Sequence, residues 1–179
     1  MSIRSMVLTL TAILLLLAGC SNGSKIEWQT KDFGPLVFEY PKDWVATDNS
    51  GLFYTFISRE SYKPYKGFED SLITIFGQSS DETGTVRDFI ERFYVGDDGK
   101  IVSETAATVG GFKATRIETS FIDEDDSSNI HTIAYEVHTQ SPLTMLFSIQ
   151  YKDGYENDVD IFEHLLESAV FDPKKRQSL

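Results

Sequence analysis

The chain has one cysteine, Cys20. No disulfide can staple the fold and no thiolate cluster can hold a metal, so whatever folds after this residue depends on an apolar core. The cysteine ends an apolar run that starts at Met6, is interrupted only by Thr9 and Thr11, and is preceded by Arg4. A short positive start, an apolar middle and small residues before a cut make the plan of a secretory signal. The run falls short of the roughly 20 apolar residues that a spanning helix needs. Residues 1–19 are therefore expected to be a signal peptide and not part of the fold.

Leu17-Ala18-Gly19-Cys20 has the form of a lipobox: a branched aliphatic residue, two small residues, then cysteine. Small side chains let an extended backbone enter a peptidase site, and the free thiol can take a diacylglyceryl group as a thioether. The motif resembles that of bacterial lipoproteins. The resemblance implies cleavage between Gly19 and Cys20 and acylation of the new terminus with chains such as palmitate. Each buried CH₂ contributes about 0.8 kcal/mol, so one chain anchors marginally and two or three anchor stably. The expected location is the cell membrane, on its extracytoplasmic face, with the lipid on Cys20 as the membrane contact.

Residues 20–25 form a linker that reaches at most about 20 Å at ~3.5 Å per residue, which keeps the domain near the headgroups. The chain carries 16 Lys+Arg against 28 Asp+Glu, a net charge of −12. Nucleic acid is thereby disfavoured and not expected as a partner, since its binding draws on basic side chains. An anionic bilayer repels the same surface, leaving attachment to the lipid.

Residues 26–171 show no repeat and no low-complexity boundary, which suits one domain, and residues 172–179 form a polar tail. Leu36-Val37-Phe38-Glu39-Tyr40-Pro41 reads as a strand that ends at proline, and Leu52–Ser58 and Leu72–Phe76 read as strands rich in aromatic and β-branched residues. Thr85-Val86-Arg87-Asp88 has the form of a capping box, followed by Val86, Phe89, Ile90 and Phe93 at helical spacing. Four strand patterns then follow in succession, Ile101–Val109, Phe112–Phe121, Ile130–His138 and Leu143–Tyr151, joined by turn signals at Gly110-Gly111 and Gln140-Ser141-Pro142. This order predicts an antiparallel meander. A last helix carries Val159, Ile161, Phe162, Leu165, Leu166 and Ala169, with Glu156, Asp158 and Asp160 at its start, where the helix dipole favours acid. The expected fold class is α+β, an antiparallel β-sheet flanked by helices in an α/β/α sandwich.

Phe38-x-Tyr40-Pro41-x-x-Trp44, Val109-Gly110-Gly111-Phe112-Lys113-Ala114 with Arg116, and Phe162, Leu165, Ser168 and Phe171 together resemble the PsbP-like domain. That fold is shared by the PsbP subunit of photosystem II, related bacterial lipoproteins and the Mog-type Ran-binding protein. The resemblance spans residues 26–171 and implies a docking or assembly module, not an enzyme. A photosystem subunit of this family would engage its complex through an N-terminal extension. Here only Ser21–Lys25 lies between the lipidation site and the fold.

No Gly-x-Ser-x-Gly elbow, zinc-protease histidine spacing or phosphate-binding glycine loop occurs, and no cofactor is expected. Two binding chemistries stay open. Tyr62, Tyr65 and Phe68, with Lys63 and Lys66 between them, form a candidate protein contact, because aromatic residues are enriched in interface cores. The same rings could instead fold back on the sheet. Asp123, Glu124, Asp125 and Asp126 at a hairpin tip could offer oxygens to a hard cation, although the spacing lacks the glycine and distal glutamate of the calcium loop. Glu136 and His138 on one strand face are a second candidate for metal, whereas His131 and His138 are seven apart and belong to opposite faces.

Overall fold

The computed structural model describes residues 25–49, 54–63, 69–79, 85–95, 99–123, 127–139 and 143–171. The signal, Cys20 and the 172–179 tail lie outside the described residues. Two antiparallel sheets make up most of the molecule. A small sheet has the order β1–β2–β10, formed by Trp28–Phe33, Leu36–Pro41 and Val170–Phe171. A seven-stranded sheet has the order β3–β4–β5–β9–β8–β7–β6. Its strands are β3 (Val45–Asn49), β4 (Tyr54–Ser58), β5 (Ser71–Ser79), β6 (Lys100–Val109), β7 (Phe112–Ile122), β8 (Asn129–His138) and β9 (Leu143–Lys152).

Period-two alternation decides which residues meet in the core. Ile133, Tyr135 and Val137 of β8 and Met145, Phe147 and Ile149 of β9 share one face of the large sheet. Helix α2 (Asp158–Ser168) lies on that face with the small sheet, and buries Ile161, Phe162, Leu165 and Leu166 beside Phe33, Leu36 and Phe38. Phe162 has no exposed surface, and burying such a ring contributes about 2–3 kcal/mol.

The opposite face carries Phe76, Ile117, Ala134 and Leu146, covered by Val86, Ile90 and Tyr94. These three belong to a helix α1 (Val86–Ile90) that runs on as a π-helical turn (Glu91–Val95). The capping box at its start is formed: Asp88 N–H donates to Thr85 Oγ1 at 3.0 Å, and Thr85 N–H donates to Asp88 Oδ2 at 2.6 Å.

The meander β6 to β9 follows the expected strand limits to within one residue at each end. Two expectations are corrected. First, the molecule is β-rich and not a sheet cleanly flanked by helices. The small sheet shares the layer of α2, and among the described residues the other face is roofed only by α1 and its π turn. Second, Phe93 is 55% exposed, although helical spacing placed it with Val86, Phe89 and Ile90. The i→i+5 turn puts more residues in each turn than an α-helix does. It therefore rotates Phe93 outward, away from the face of Val86 and Ile90, while Tyr94 stays on that face. Strands β3 and β10 were not expected from the sequence.

Candidate binding cleft

Charged residues occupy the core-side positions of β7. Ala114, Arg116 and Glu118 alternate there, paired across to β8 at Val137, Tyr135 and Ile133. Ala114 sits in the core, but Arg116 and Glu118 lie past the part of the sheet that the small sheet and α2 cover. Beyond that cover a cleft of about 420 Å³ opens, floored by Arg116, Glu118, His131 and Tyr151, with Val102 of β6 at one side. Glu156, Val159 and Asp160, at the start of α2, form the facing wall.

The Arg116 guanidinium and the His131 ring in this floor each already have an acidic partner. Arg116 is ion-paired to Glu118 and donates from Nε to the Tyr135 hydroxyl at 3.1 Å. That hydroxyl donates in turn to Glu163 Oε1 at 3.1 Å, so a polar chain runs from β7 across β8 to α2. Hydrogen bonding from Arg116 holds the Glu118 carboxyl below its usual range. His131 Nε2 lies 2.8 Å from Asp153 Oδ1, and its ring stacks on Tyr151 with centroids 5.4 Å apart. Asn129 donates to the same carboxylate at 3.0 Å, and it is the first cause, with His131 second, of the lowered pKa of Asp153. Backbone N–H groups, including that of Gly154 at 3.1 Å, lower the pKa of Glu156. The cleft thus presents ionised carboxylates between aromatic and aliphatic walls.

A separate cluster ties the entrance of α2 to the β4–β5 connection. Arg59 donates through both terminal nitrogens to Asp158, at 2.6 Å each, and Ser71 Oγ donates to Asp158 Oδ2 at 2.6 Å. The guanidinium lies 4.9 Å from the ring centre of Trp44 and 5.6 Å from that of Tyr155. These contacts place two donors on Oδ2 and one on Oδ1 of the carboxylate, which makes the cluster a clasp holding α2. At the middle of the helix, His164 stacks on Trp28 at 3.7 Å and its Nε2 lies 3.0 Å from Glu39 Oε2.

On the other face of the large sheet, aromatic rings run in a line. Tyr54 stacks on Phe76 at 4.3 Å, Phe76 lies 5.4 Å from Phe89, and Phe89 lies 4.6 Å from the exposed Phe93. Tyr62 belongs beside this line: its ring lies 4.6 Å from Phe56, and burial pushes its hydroxyl pKa up. Of the three aromatic residues proposed as a protein contact, Tyr62 therefore folds back on the sheet. Tyr65 and Phe68 lie outside the described residues.

Asp123 opens the β7–β8 hairpin, with Lys152 Nζ 4.0 Å from its Oδ2, while Glu124, Asp125 and Asp126 lie outside the described residues. Glu136 and His138 sit near the far end of β8, opposite Leu146 and Thr144. At ~3.3 Å per residue they stand roughly 25–35 Å along the strand from Asp123, which lies level with the start of β8, so they cannot share an ion with it. Among the described residues no group of three or more His, Cys, Asp or Glu could hold a metal ion. Nor, among them, is any helix long and apolar enough to cross a membrane.

The sequence marks Arg116 only through the resemblance, and marks neither Glu118, Tyr151 nor Glu163 as a site residue. The available signal was two charges at alternate positions on the strand face where apolar residues belong.

No protein-family model and no curated protein sequence matches the chain. Solved structures do. The Ran-binding protein Mog1p of Saccharomyces cerevisiae superposes with a TM-score of 0.55 at 9% identity, over 84% of this chain and 99% of that one. LpqN of Mycobacterium tuberculosis, described as involved in cell envelope biogenesis, superposes with a TM-score of 0.53 at 17% identity, over 84% of this chain and 93% of that one. A Bacteroides thetaiotaomicron protein matches with a TM-score of 0.52 at 10% identity over 81% of this chain, which spans about half, 48%, of that protein's length. At these identities the likeness is one of fold: the chain has a Mog1/PsbP-like architecture.

Proposed function

We propose that the protein is a lipid-anchored, extracytoplasmic, non-catalytic module that binds a protein partner at the membrane–water boundary. The observation that carries the reading is the open, carboxylate-lined cleft beside α2. It offers acceptors for recognition, on a fold that Mog1p, by its description, carries as a Ran-binding protein. The lipobox at Leu17–Cys20 supports the anchor and the location, and the envelope role given for LpqN is in keeping with both.

Two measurements test this reading. Cys20→Ala is expected to move the protein from the membrane fraction to the soluble fraction, and mass spectrometry of the native terminus is expected to find an acylated cysteine. An affinity pull-down from solubilised membranes is expected to recover a specific protein. Recovery of none would count against the binding role, and an unprocessed terminus would count against the anchor.

A small-ligand reading is favoured by one observation, the cleft volume of about 420 Å³, which falls in the range of small-molecule sites. A thermal shift that follows a defined small molecule, and not a protein, would move the assignment there.

A further inference from the structure

The large sheet ends at β6, which pairs with β7 along nearly its whole length. Among the described residues no strand lies on the other side of β6, so a ten-residue backbone edge is open. Long open edges are normally blunted by proline, by lysine or by inward-pointing charge. Strand β6 has no proline, its one lysine stands at the first position, and its one acid, Glu104, is paired to Arg87 at 3.0 Å. A bulge between Ile101 and Ser103 is its one break in register. At that bulge Val102 is 56% exposed and Ile101 38% exposed.

The cleft opens beside this edge, with Val102 forming its near side. Its charge is one-sided. Arg116 is engaged by Glu118, and His131 by Asp153, whereas among the described residues no Lys, Arg or His pairs with Glu156 or Asp160.

We infer that β6 and the cleft together dock an extended, basic segment of a partner protein. The segment adds to the sheet as a strand on β6 and sends a lysine or arginine side chain to Glu156 and Asp160. Backbone pairing along an open edge supplies affinity, and side chains on alternate residues supply selectivity. Charge complementarity decides the occupant. A second copy of this chain would bring another body of net charge −12 against the same carboxylates, whereas a basic strand is drawn to them. The inference rests on the binding-module reading and names its contact surface.

The test uses the full chain purified in detergent and two fluorescein-labelled octapeptides, one alternating lysine with valine and the other glutamate with valine. Fluorescence anisotropy is expected to show binding of the lysine peptide only, weakening as salt is raised. Amide shifts on titration are expected to concentrate in β6 and at the start of α2. The double charge reversal Glu156→Lys/Asp160→Lys is expected to weaken binding by about tenfold or more. Val102→Lys, which lies on a different element, is expected to do the same and guards against misfolding of the double variant. Equal binding of the two peptides, no binding of either, unchanged affinity in both variants, or self-association through β6 in sedimentation would each overturn the inference. The two readings fail separately. A membrane partner whose capture ignores these variants leaves the module standing and removes its assigned surface, while a pull-down that recovers nothing removes the module itself.

Discussion

Asp158 is 3% exposed, while the side chain of its partner Arg59 keeps 39% of its surface in solvent. That asymmetry decides what a substitution does. Breaking a fully buried pair costs about 3–5 kcal/mol, because a charge is left without its partner in a dry interior. Here the orphaned guanidinium can hydrate, which discounts the figure. Asp158→Ala is therefore expected to cost about 2–3 kcal/mol, read as a lower urea midpoint, with Ser71 Oγ also losing its acceptor.

Tyr94 presents the opposite case, a neutral group that burial keeps neutral. Its hydroxyl lies 2.6 Å from Ser148 Oγ, and desolvation raises its pKa from 10.0 to about 12. In the unfolded chain the same phenol ionises near pH 10, so between that value and about 12 the unfolded state binds fewer protons than the folded one. The stabilisation is whole below pH 10 and is lost as pH climbs through the folded pKa. Melts between pH 9 and pH 12 are expected to show this decline, and Tyr94→Phe is expected to flatten it while costing about 1 kcal/mol at neutral pH. Neither residue announced its role in the sequence. Asp158 read as an acid at a helix start and Tyr94 as one more residue of a helix, because their partners lie 99 and 54 positions away.

Elements differ in how far local pattern determines them. Strands β7, β8 and β9 could be placed from the chain alone because alternation, turn residues and the next strand all lie within a few positions. The β6–β7 connection shows why: Gly110 and Gly111 have φ of 55° and 82°, which a two-residue type I′ hairpin requires. A Cβ on Gly110 would also stand 3.1 Å from both Ala169 O and the Phe171 ring. Gly110→Ala is accordingly expected to lower stability by about 1–2 kcal/mol in thermal unfolding, more than Gly111→Ala, whose Cβ would meet nothing within 4 Å.

Strands β3 and β10 escaped notice for other reasons: both are short, residues 45–48 of β3 are nowhere buried, and β10 is completed by the distant β2. In the helix on the second face, the π turn overrides the spacing. Ile90→Ala is expected to cost about 2–4 kcal/mol, since Ile90 has no exposed surface, whereas Phe93→Ser should stay within about 1 kcal/mol. The reverse order in chemical denaturation would mean that Phe93 and not Tyr94 faces the sheet.

For the molecule as a whole, the seven-stranded sheet joins β5 to β9, bringing Ser71 opposite Tyr151. The small sheet is more extreme, since β10 pairs Val170 with Val37 and Phe171 with Leu36. A chain cut after Ser168 is expected to lose cooperative unfolding, seen as a broadened melt, because Leu36 and Phe112 both lose a neighbour in Phe171. The cleft was invisible as a unit in the sequence for the same reason: β6, β7, β8, β9 and the start of α2 each contribute one to three residues to it.

Pairings so far apart along the chain close slowly. Strand β2 gains its second neighbour only when residues 170 and 171 arrive. The opening hairpin therefore stays unlatched on one side until the closing residues of the fold are in place.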